Sequence, residues 1–574
     1  MTDIEHEVYH IDCRKCVSLG SLGLQGGCKK CLPREKYDRF RLRTKYFTKE
    51  YDGNNLKLLS LEPFFIDVRV DYGQDRENKL LKTYSLPTNA VVQLFEMKDN
   101  VEYLYKLRLP EMRYNFYDLK SIYKDVQDFK KTGFTGSKIV QRWYQNLGIL
   151  EHLLLDEHVL EININPPEFK TPIRIVHDEF DECITNLYPS DEFLNYFVTR
   201  LRMISGRPLN KSQPQLDSEI SIGEQKARVA AIVNPFSIFG IGFSVRKHRQ
   251  KPWTTPLFMK NKALNSWLAG FMSFVIAHGR SFLIAGPRGS GKTALLGSFL
   301  LEILPKYRMI TIEDTQELAI ETYRDLGYDI VPLKVRSALL EAGMEIPFEM
   351  GLRTSLRLGD SCLILGEIRS VEAKVLYEAM RVGAMSNVVA GTIHADNPYG
   401  VYDRVVNDLG VTKGSFKVTD LIIIINQIKD PTGLKRVRRV VSVTEVLKDW
   451  EEKPEFQDLL MYNPKTDQLE PTEAFLNGKS VLLKTVLEHT QGYTDYNSVL
   501  KDIMLRAWAK DEIVKLADSR DKLEAAYVVK ANVMYDKLAY TAKPLDSAKL
   551  EAEFKKRFTE ELKILLTTPV GSQK

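Results

Sequence analysis

Between residues 256 and 445 the apolar positions come as short solid runs separated by stretches of helical spacing. Phe282–Ala285, Met309–Ile312 and Cys362–Leu365 are continuous apolar or β-branched runs of four residues, the pattern of strands buried on both faces. A further strand is predicted in "NVVAGTIHADNP". Ahead of the first run, "ALNSWLAGFMSFVIAHG" has helical spacing and stops at Gly279, a C-cap residue type, and between the first and second runs Thr293–Leu304 predicts a second apolar helix. Alternating strands and helices of this kind predict an α/β sheet domain. Residues 41–255 mix strand-like and helix-like stretches, an α+β pattern, and end in "GIGFSVRKH", where Phe243 and Val245 share one side. The prolines of "RQKPWTTPL", Pro252 and Pro256, predict an extended linker. Residues 446–574 are polar and mostly helical in pattern, and residues 1–40 hold a cysteine cluster. The expected division is therefore 1–40, 41–255, 256–445 and 446–574.

Composition narrows the class. The chain has 574 residues, 44% hydrophobic and 27% charged, enough for several cores. A net charge of +5 with pI near 8.5 is too mild to argue for nucleic acid by itself. "MTDIEHEVYHID" lacks the apolar stretch of a secretory signal, and "LIIII" is far too short to span a bilayer. The expectation is a soluble, cytoplasmic protein that sits against a membrane only through a partner. Six cysteines without an export signal do not read as a disulfide framework. Cys183 and Cys362 read as ordinary buried residues.

Chemistry concentrates after the Phe282–Ala285 run. Gly286, Pro287, Arg288, Gly289, Ser290, Gly291, Lys292 and Thr293 match G-x-x-x-x-G-K-[ST]. The glycines let backbone N–H groups close around phosphate oxygens, and the following helix adds its N-terminal dipole. Lys292 supplies a point charge for the β and γ phosphates, and Thr293 a hydroxyl for Mg²⁺. A chance glycine-rich turn is the bland alternative, but the strand before and the helix after supply the required context. Glu313 and Asp314 stand at the end of one predicted strand, Glu367 at the end of another, and Thr392 and His394 at the end of a third. Ligands bind outside the carboxyl ends of strands in such sheets. One carboxylate is needed for Mg²⁺ and one to orient or deprotonate the attacking water. The alternative is solvated loop acids and a structural histidine. Arg353 and Arg357 are predicted at i, i+4 on one helix face, a spacing shared by any solvated basic face.

In order, "AGPRGSGKT", "TIEDTQEL", "LRTSLRLGDSCLILGEIRS" and "GTIHADNPYGVYDRVV" resemble the motifs of the secretion ATPase superfamily, which drives type II and type IV secretion, type IV pili and archaella. The resemblance covers roughly residues 150–450, and the C-terminal "VTEVLKDW" to "EAFLNG" stretch is similar to archaeal members. It implies a RecA-like ATPase domain after an α+β N-terminal domain. It also implies a homo-hexamer that hydrolyses ATP with Mg²⁺ and pushes on an integral membrane platform protein, and so acts on pilin-like subunits indirectly. By the same resemblance Glu313 takes the role of the catalytic carboxylate, Glu367 the Mg²⁺-linked one, and His394 the second histidine of a histidine box whose first histidine is replaced by Ala384. Arg228 and Arg246 match arginines that reach a nucleotide across a subunit boundary, where a guanidinium neutralises phosphoryl charge. Surface strand arginines are the alternative.

"CRKCVSLGSLGLQGGCKKC" places Cys13, Cys16, Cys28 and Cys31 as C-x₂-C, eleven residues, C-x₂-C. Two such knuckles suit a structural tetrahedral Zn²⁺ with no open position for catalysis. Reduced free thiols are the alternative. Two other functions compete with the motor. A nucleic-acid translocase needs a basic, aromatic-bearing channel, and the basic run "KRVRR", Lys435 to Arg439, alternates with valines like a sheet-edge strand. A nucleotide-binding scaffold that does not hydrolyse ATP has no use for Lys292, Thr293, Glu313 and Glu367 together.

Overall fold

The computed structural model describes residues 9–12, 39–43, 47–52, 55–61, 67–71, 78–98, 102–110, 116–167, 170–249, 251–313, 316–335, 348–355, 357–359, 361–369, 372–381, 388–429, 433, 436–542 and 548–568. The predicted zinc ligands Cys13, Cys16, Cys28 and Cys31, together with Asp314 and Ala384, lie outside the described residues. The chain forms two compact units, Met1–Arg249 and Gln250–Lys574. None of the described helices is long and apolar enough to cross a membrane.

The first unit is α+β. One sheet pairs six strands from Tyr9–Asp12 through Asp67–Asp71 to Leu187–Pro189. A nine-stranded sheet runs from Gln215–Ile222 at one edge to Lys79–Ser85 at the other. Alternation along its strands sends every second side chain inward. Phe243 and Val245 are buried there beside Val229, against Phe193 and Phe197 of the helix Asp191–Ser205. That helix starts because the Ser190 side chain accepts from the Phe193 N–H, and it stops at Gly206, whose φ of 64° a β-carbon would strain.

The second unit is built on nine strands: β1 (Phe282–Ala285), β2 (Met309–Glu313), β3 (Ile330–Lys334), β4 (Cys362–Ile368), β5 (Val389–Ile393), β6 (Leu421–Lys429), β7 (Arg436–Val446), β8 (Phe456–Asn463) and β9 (Gln468–Pro471). Their order is β3-β2-β4-β5-β1-β6-β7-β8-β9. The first six are parallel, and β7 to β9 continue the sheet antiparallel. The solid apolar runs are the central parallel strands, because crossover helices cover both faces: every residue of β1, β2 and β5 is buried. Helix α1 (Ser266–Ala277) and helix α2 (Lys292–Leu300) pack there with the C-terminal helix α3 (Tyr496–Leu516), through Phe271, Phe274, Phe299, Val499 and Ile503.

Four local expectations change. Pro256 opens a short helix, Thr255–Lys260, instead of extending a linker. Thr254 accepts from the Leu257 N–H, and a proline in the first turn lacks only a donor that had no partner there. Helix α2 ends at Leu300, not Leu304: the chain tightens into i→i+3 bonds, from the Glu302 N–H to Phe299 and from the Ile303 N–H to Leu300, ahead of Pro305. Arg357 lies past the end of the helix Phe348–Ser355, so it does not share a helix face with Arg353; both side chains are exposed. Strand β4 runs on through Glu367, with a register shift between Leu365 and Ile368, so this carboxylate lies within the strand.

Candidate active site

The loop between β1 and α2 is shaped by its glycines. A β-carbon on Gly286 would stand 2.1 Å from the carbonyl oxygen of Ile425 on the neighbouring strand, so no larger residue fits. Gly289 and Gly291 have φ of 77° and 96°, values that L side chains rarely adopt. Ser290 Oγ is buried and has no hydrogen-bond partner among the described residues. A helix N-terminus, a glycine cradle and an orphaned buried hydroxyl are features that a phosphate group satisfies. Arg288 points to solvent, and Thr293 is half-buried at the helix start.

Lys292 is buried and folds over its own loop. Its Nζ donates to the carbonyls of Gly286 at 3.0 Å and Pro287 at 3.1 Å. It also lies 3.3 Å from His394 Nδ1, just beyond the end of β5. The other ring nitrogen, His394 Nε2, is 2.9 Å from Glu367 Oε1. Arg369 holds the second oxygen of Glu367 through its guanidinium. One tautomer satisfies the row: Nδ1 accepts from Lys292 and Nε2–H donates to Glu367. The result is a continuous chain Lys292–His394–Glu367–Arg369 across the carboxyl ends of β1, β5 and β4.

The charges reinforce one another. Burial alone would raise the Glu367 pKa, but Arg369, His394 and Lys292 together hold it below the usual carboxylate value. Burial pushes the Lys292 ammonium below its ordinary pKa, with Glu367 and then Glu317 pulling it back. His394 is held low first by burial and then by Lys292, which keeps the imidazole neutral and able to accept at Nδ1.

Glu313 ends β2, the strand next to β4, and is buried at 3% exposure. Its Oε1 accepts from the Glu317 and Leu318 N–H groups at 3.0 and 3.2 Å. Gly366 makes room for it: a β-carbon at 366 would sit 2.8 Å from Glu313 Cγ. Thr392 donates to the Gly366 carbonyl, which fixes this backbone against β5. Arg228 and Arg246 lie in the first unit, directly paired in register on adjacent strands. Arg228 is 3.8 Å from Asp217 and Arg246 is 3.3 Å from Glu161.

Sequence reading missed three groups of the site. Arg369, two residues beyond Glu367 along the chain, was open to recognition from that spacing alone. Gln427 on β6 and Arg438 on β7 both donate to the Gly289 carbonyl, at 2.8 and 3.2 Å. They are cross-strand partners, and only the hairpin register brings them to the loop.

The sequence matches the family described as type II/IV secretion system protein over residues 148–443. An uncharacterized protein of Methanocaldococcus jannaschii is 26% identical over 66% of this chain and 66% of its own length, just under two thirds. A putative conjugal transfer protein of Mycobacterium tuberculosis is 26% identical over 54% of this chain and 87% of its length. The type IV secretion system protein PtlH of Bordetella pertussis is 26% identical over 36% of this chain and 64% of its length.

Proposed function

The chain belongs to the type II/IV secretion system protein family, and from that premise we propose that it is an ATPase that converts hydrolysis into mechanical work. The observation that carries this reading is the chain Lys292–His394–Glu367–Arg369 laid against a glycine loop of phosphate-binding shape. Gly286 through Thr293 hold the phosphates of ATP by backbone N–H groups, and the Lys292 ammonium moves from loop carbonyls to phosphate oxygens. Thr293 and Glu367 are the residues that would hold Mg²⁺, which neutralises phosphate charge when bound. Glu313 orients the attacking water and takes its proton. His394, bonded to both Lys292 and Glu367, reports whether phosphate has drawn Lys292 away.

The working form in this reading is a homo-hexamer in the cytoplasm, held at the inner face of the membrane by an integral platform protein. Arg228 and Arg246 reach the nucleotide of a neighbouring subunit and stabilise transferring charge. The work adds pilin-like subunits to a filament or exports protein. Cys13, Cys16, Cys28 and Cys31 hold a structural Zn²⁺ in region 1–40, ahead of an N-terminal domain (41–255), an ATPase domain (256–445) and a C-terminal extension (446–574). A nucleic-acid translocase is disfavoured by the partners of the basic run: Arg438 bonds the phosphate loop, and Arg439 pairs with Asp467 through two bonds of 2.8 and 2.9 Å.

The test is turnover of Mg-ATP by the purified chain. Glu313→Gln is expected to bind nucleotide normally and to lose roughly 100-fold or more in kcat, the usual weight of a positioned base. Lys292→Ala is expected to weaken nucleotide binding itself. Wild-type turnover by Glu313→Gln would remove Glu313 from the mechanism.

A further inference from the structure

In the first unit, three ligand-type side chains meet where two strands of the nine-stranded sheet begin and end. His158 precedes the strand Val159–Ile164, His177 closes the strand Arg174–His177, and Asp178 follows it. Backbone pairing fixes all three: His177 is in register with Val159, and the Asp178 N–H donates to the His158 carbonyl at 2.9 Å. Asp178 Oδ1 is 3.0 Å from His158 Nδ1 and 3.3 Å from His177 Nδ1. The two imidazoles lie nearly parallel, 13° apart, with their ligand atoms and the carboxylate oxygen all within 4.8 Å of one another.

The hydrogen bonds set the state of the His177 ring. Tyr84 donates its hydroxyl proton to Asp156 at 2.8 Å, which leaves its oxygen as acceptor for His177 Nε2–H at 3.4 Å. His177 Nδ1 accepts the Glu179 N–H at 3.1 Å, so it carries a lone pair. That lone pair and the Asp178 oxygen are then two electron-pair donors 3.3 Å apart in a site where His177 is fully buried and Asp178 is 7% exposed. Such a pair is stabilised by a cation between them. The spacing suits a metal: a tetrahedral zinc with bonds of about 2.0 Å keeps its ligand atoms about 3.3 Å apart.

We infer that His158, His177 and Asp178 form a binding site for a divalent transition-metal cation, of the zinc type. Two imidazoles and one carboxylate are the donor set of zinc and its neighbours, whereas Mg²⁺ and Ca²⁺ take oxygen. Binding displaces the His158 Nδ1 proton, to the other ring nitrogen or to solvent, and adds the Nδ1 lone pair as the third ligand; it also takes the His177 Nδ1 lone pair from the Glu179 N–H, which passes to water because Glu179 is exposed. The slight exposure of His158, 16%, leaves a side for a water ligand. The bound ion clasps the loop before one strand to the turn after its partner. The site is separate from the phosphate loop and does not rest on the ATPase reading.

Cobalt(II) tests it on the full chain after chelator treatment, because its spectrum separates nitrogen and oxygen ligands from thiolates. The wild type is expected to take up one equivalent with weak ligand-field bands and no thiolate charge-transfer band, apart from any cobalt on the four N-terminal cysteines. Asp178→Asn, which keeps an acceptor for His158, should weaken that equivalent roughly ten-fold or more, since even an outer partner of a metal ligand is worth that much. His158→Gln, at the more exposed position, should do the same. Zn²⁺ added to chelated wild type should raise its melting temperature, and this rise should shrink in both variants. The inference is overturned if the wild type binds no cobalt beyond thiolate-bound equivalents, or if both variants match its uptake and spectrum.

Discussion

The missing β-carbon of Gly366 has a physical reason: Glu313 Cγ lies 2.8 Å from the place it would fill. The glycine lets a carboxylate from the neighbouring strand come close. Gly366→Ala is therefore expected to displace Glu313, lowering kcat with little change in nucleotide affinity. It should also destabilise the fold by about 1–3 kcal/mol, the range for an overpacked interior; steady-state kinetics and urea melts of the same preparation separate the two effects. His394 carries a pH prediction. Burial and then Lys292 hold its pKa below the ordinary 6.5, so the unfolded chain takes up this proton at higher pH than the folded one. The stability contributed by this group is complete above the ordinary imidazole range and is lost as the pH falls through its folded value. Melting temperatures between pH 7 and 5 should fall less steeply for His394→Gln than for the wild type.

Among elements, the decisive contact is between the phosphate-loop helix and the C-terminal helices. Glu302, just past the end of α2, is nearly sealed, and its carboxylate accepts from Lys510 on α3 at 2.6 Å and from Thr255 at 2.9 Å. Lys510 also donates to Asn532 at 2.6 Å on the next helix, Ala525–Ala542. Removing one partner strands a buried charge. Lys510→Met should cost about 3–5 kcal/mol in chemical denaturation, whereas Glu302→Leu with Lys510→Met should recover most of it. Helix α3 packs closely on α1 at Gly270, where a β-carbon would stand 2.5 Å from the Ala507 nitrogen. The central strands β1, β2 and β4 were legible as runs of four apolar or β-branched residues, because a strand covered on both faces has no polar side. Strands β8 and β9 were not, since they lie toward one edge of the sheet and carry the polar residues that edge exposes.

At the scale of the whole molecule, the prediction is assembly. Mass measurement with Mg-ATP should find a species of about six times the 65.9 kDa chain, formed by Glu313→Gln as well. Arg246→Ala should leave nucleotide binding intact and lower turnover by roughly 10³-fold or more, the weight of an arginine acting on a transferring phosphoryl group. If Arg246→Ala turns over at the wild-type rate within a six-chain species, this arginine only pairs with Glu161.

Local pattern alone determined the glycine loop, the strand before it and the helix after it, because eight consecutive residues define that loop's backbone geometry. It also placed Glu313, Glu367 and His394 at or near strand ends, since apolar runs stop where side chains meet solvent or ligand. Tertiary structure decided the rest. The bonding of Lys292 to His394 and of His394 to Glu367 depends on which strands are neighbours, and the order β2-β4-β5-β1 is not written in chain order. Arg438 reaches Gly289 only through the register of β6 with β7, and His158 reaches Asp178 only through the pairing of two strands in the first unit. Each of these contacts joins residues at least 20 apart in the chain, where no local periodicity can encode a distance.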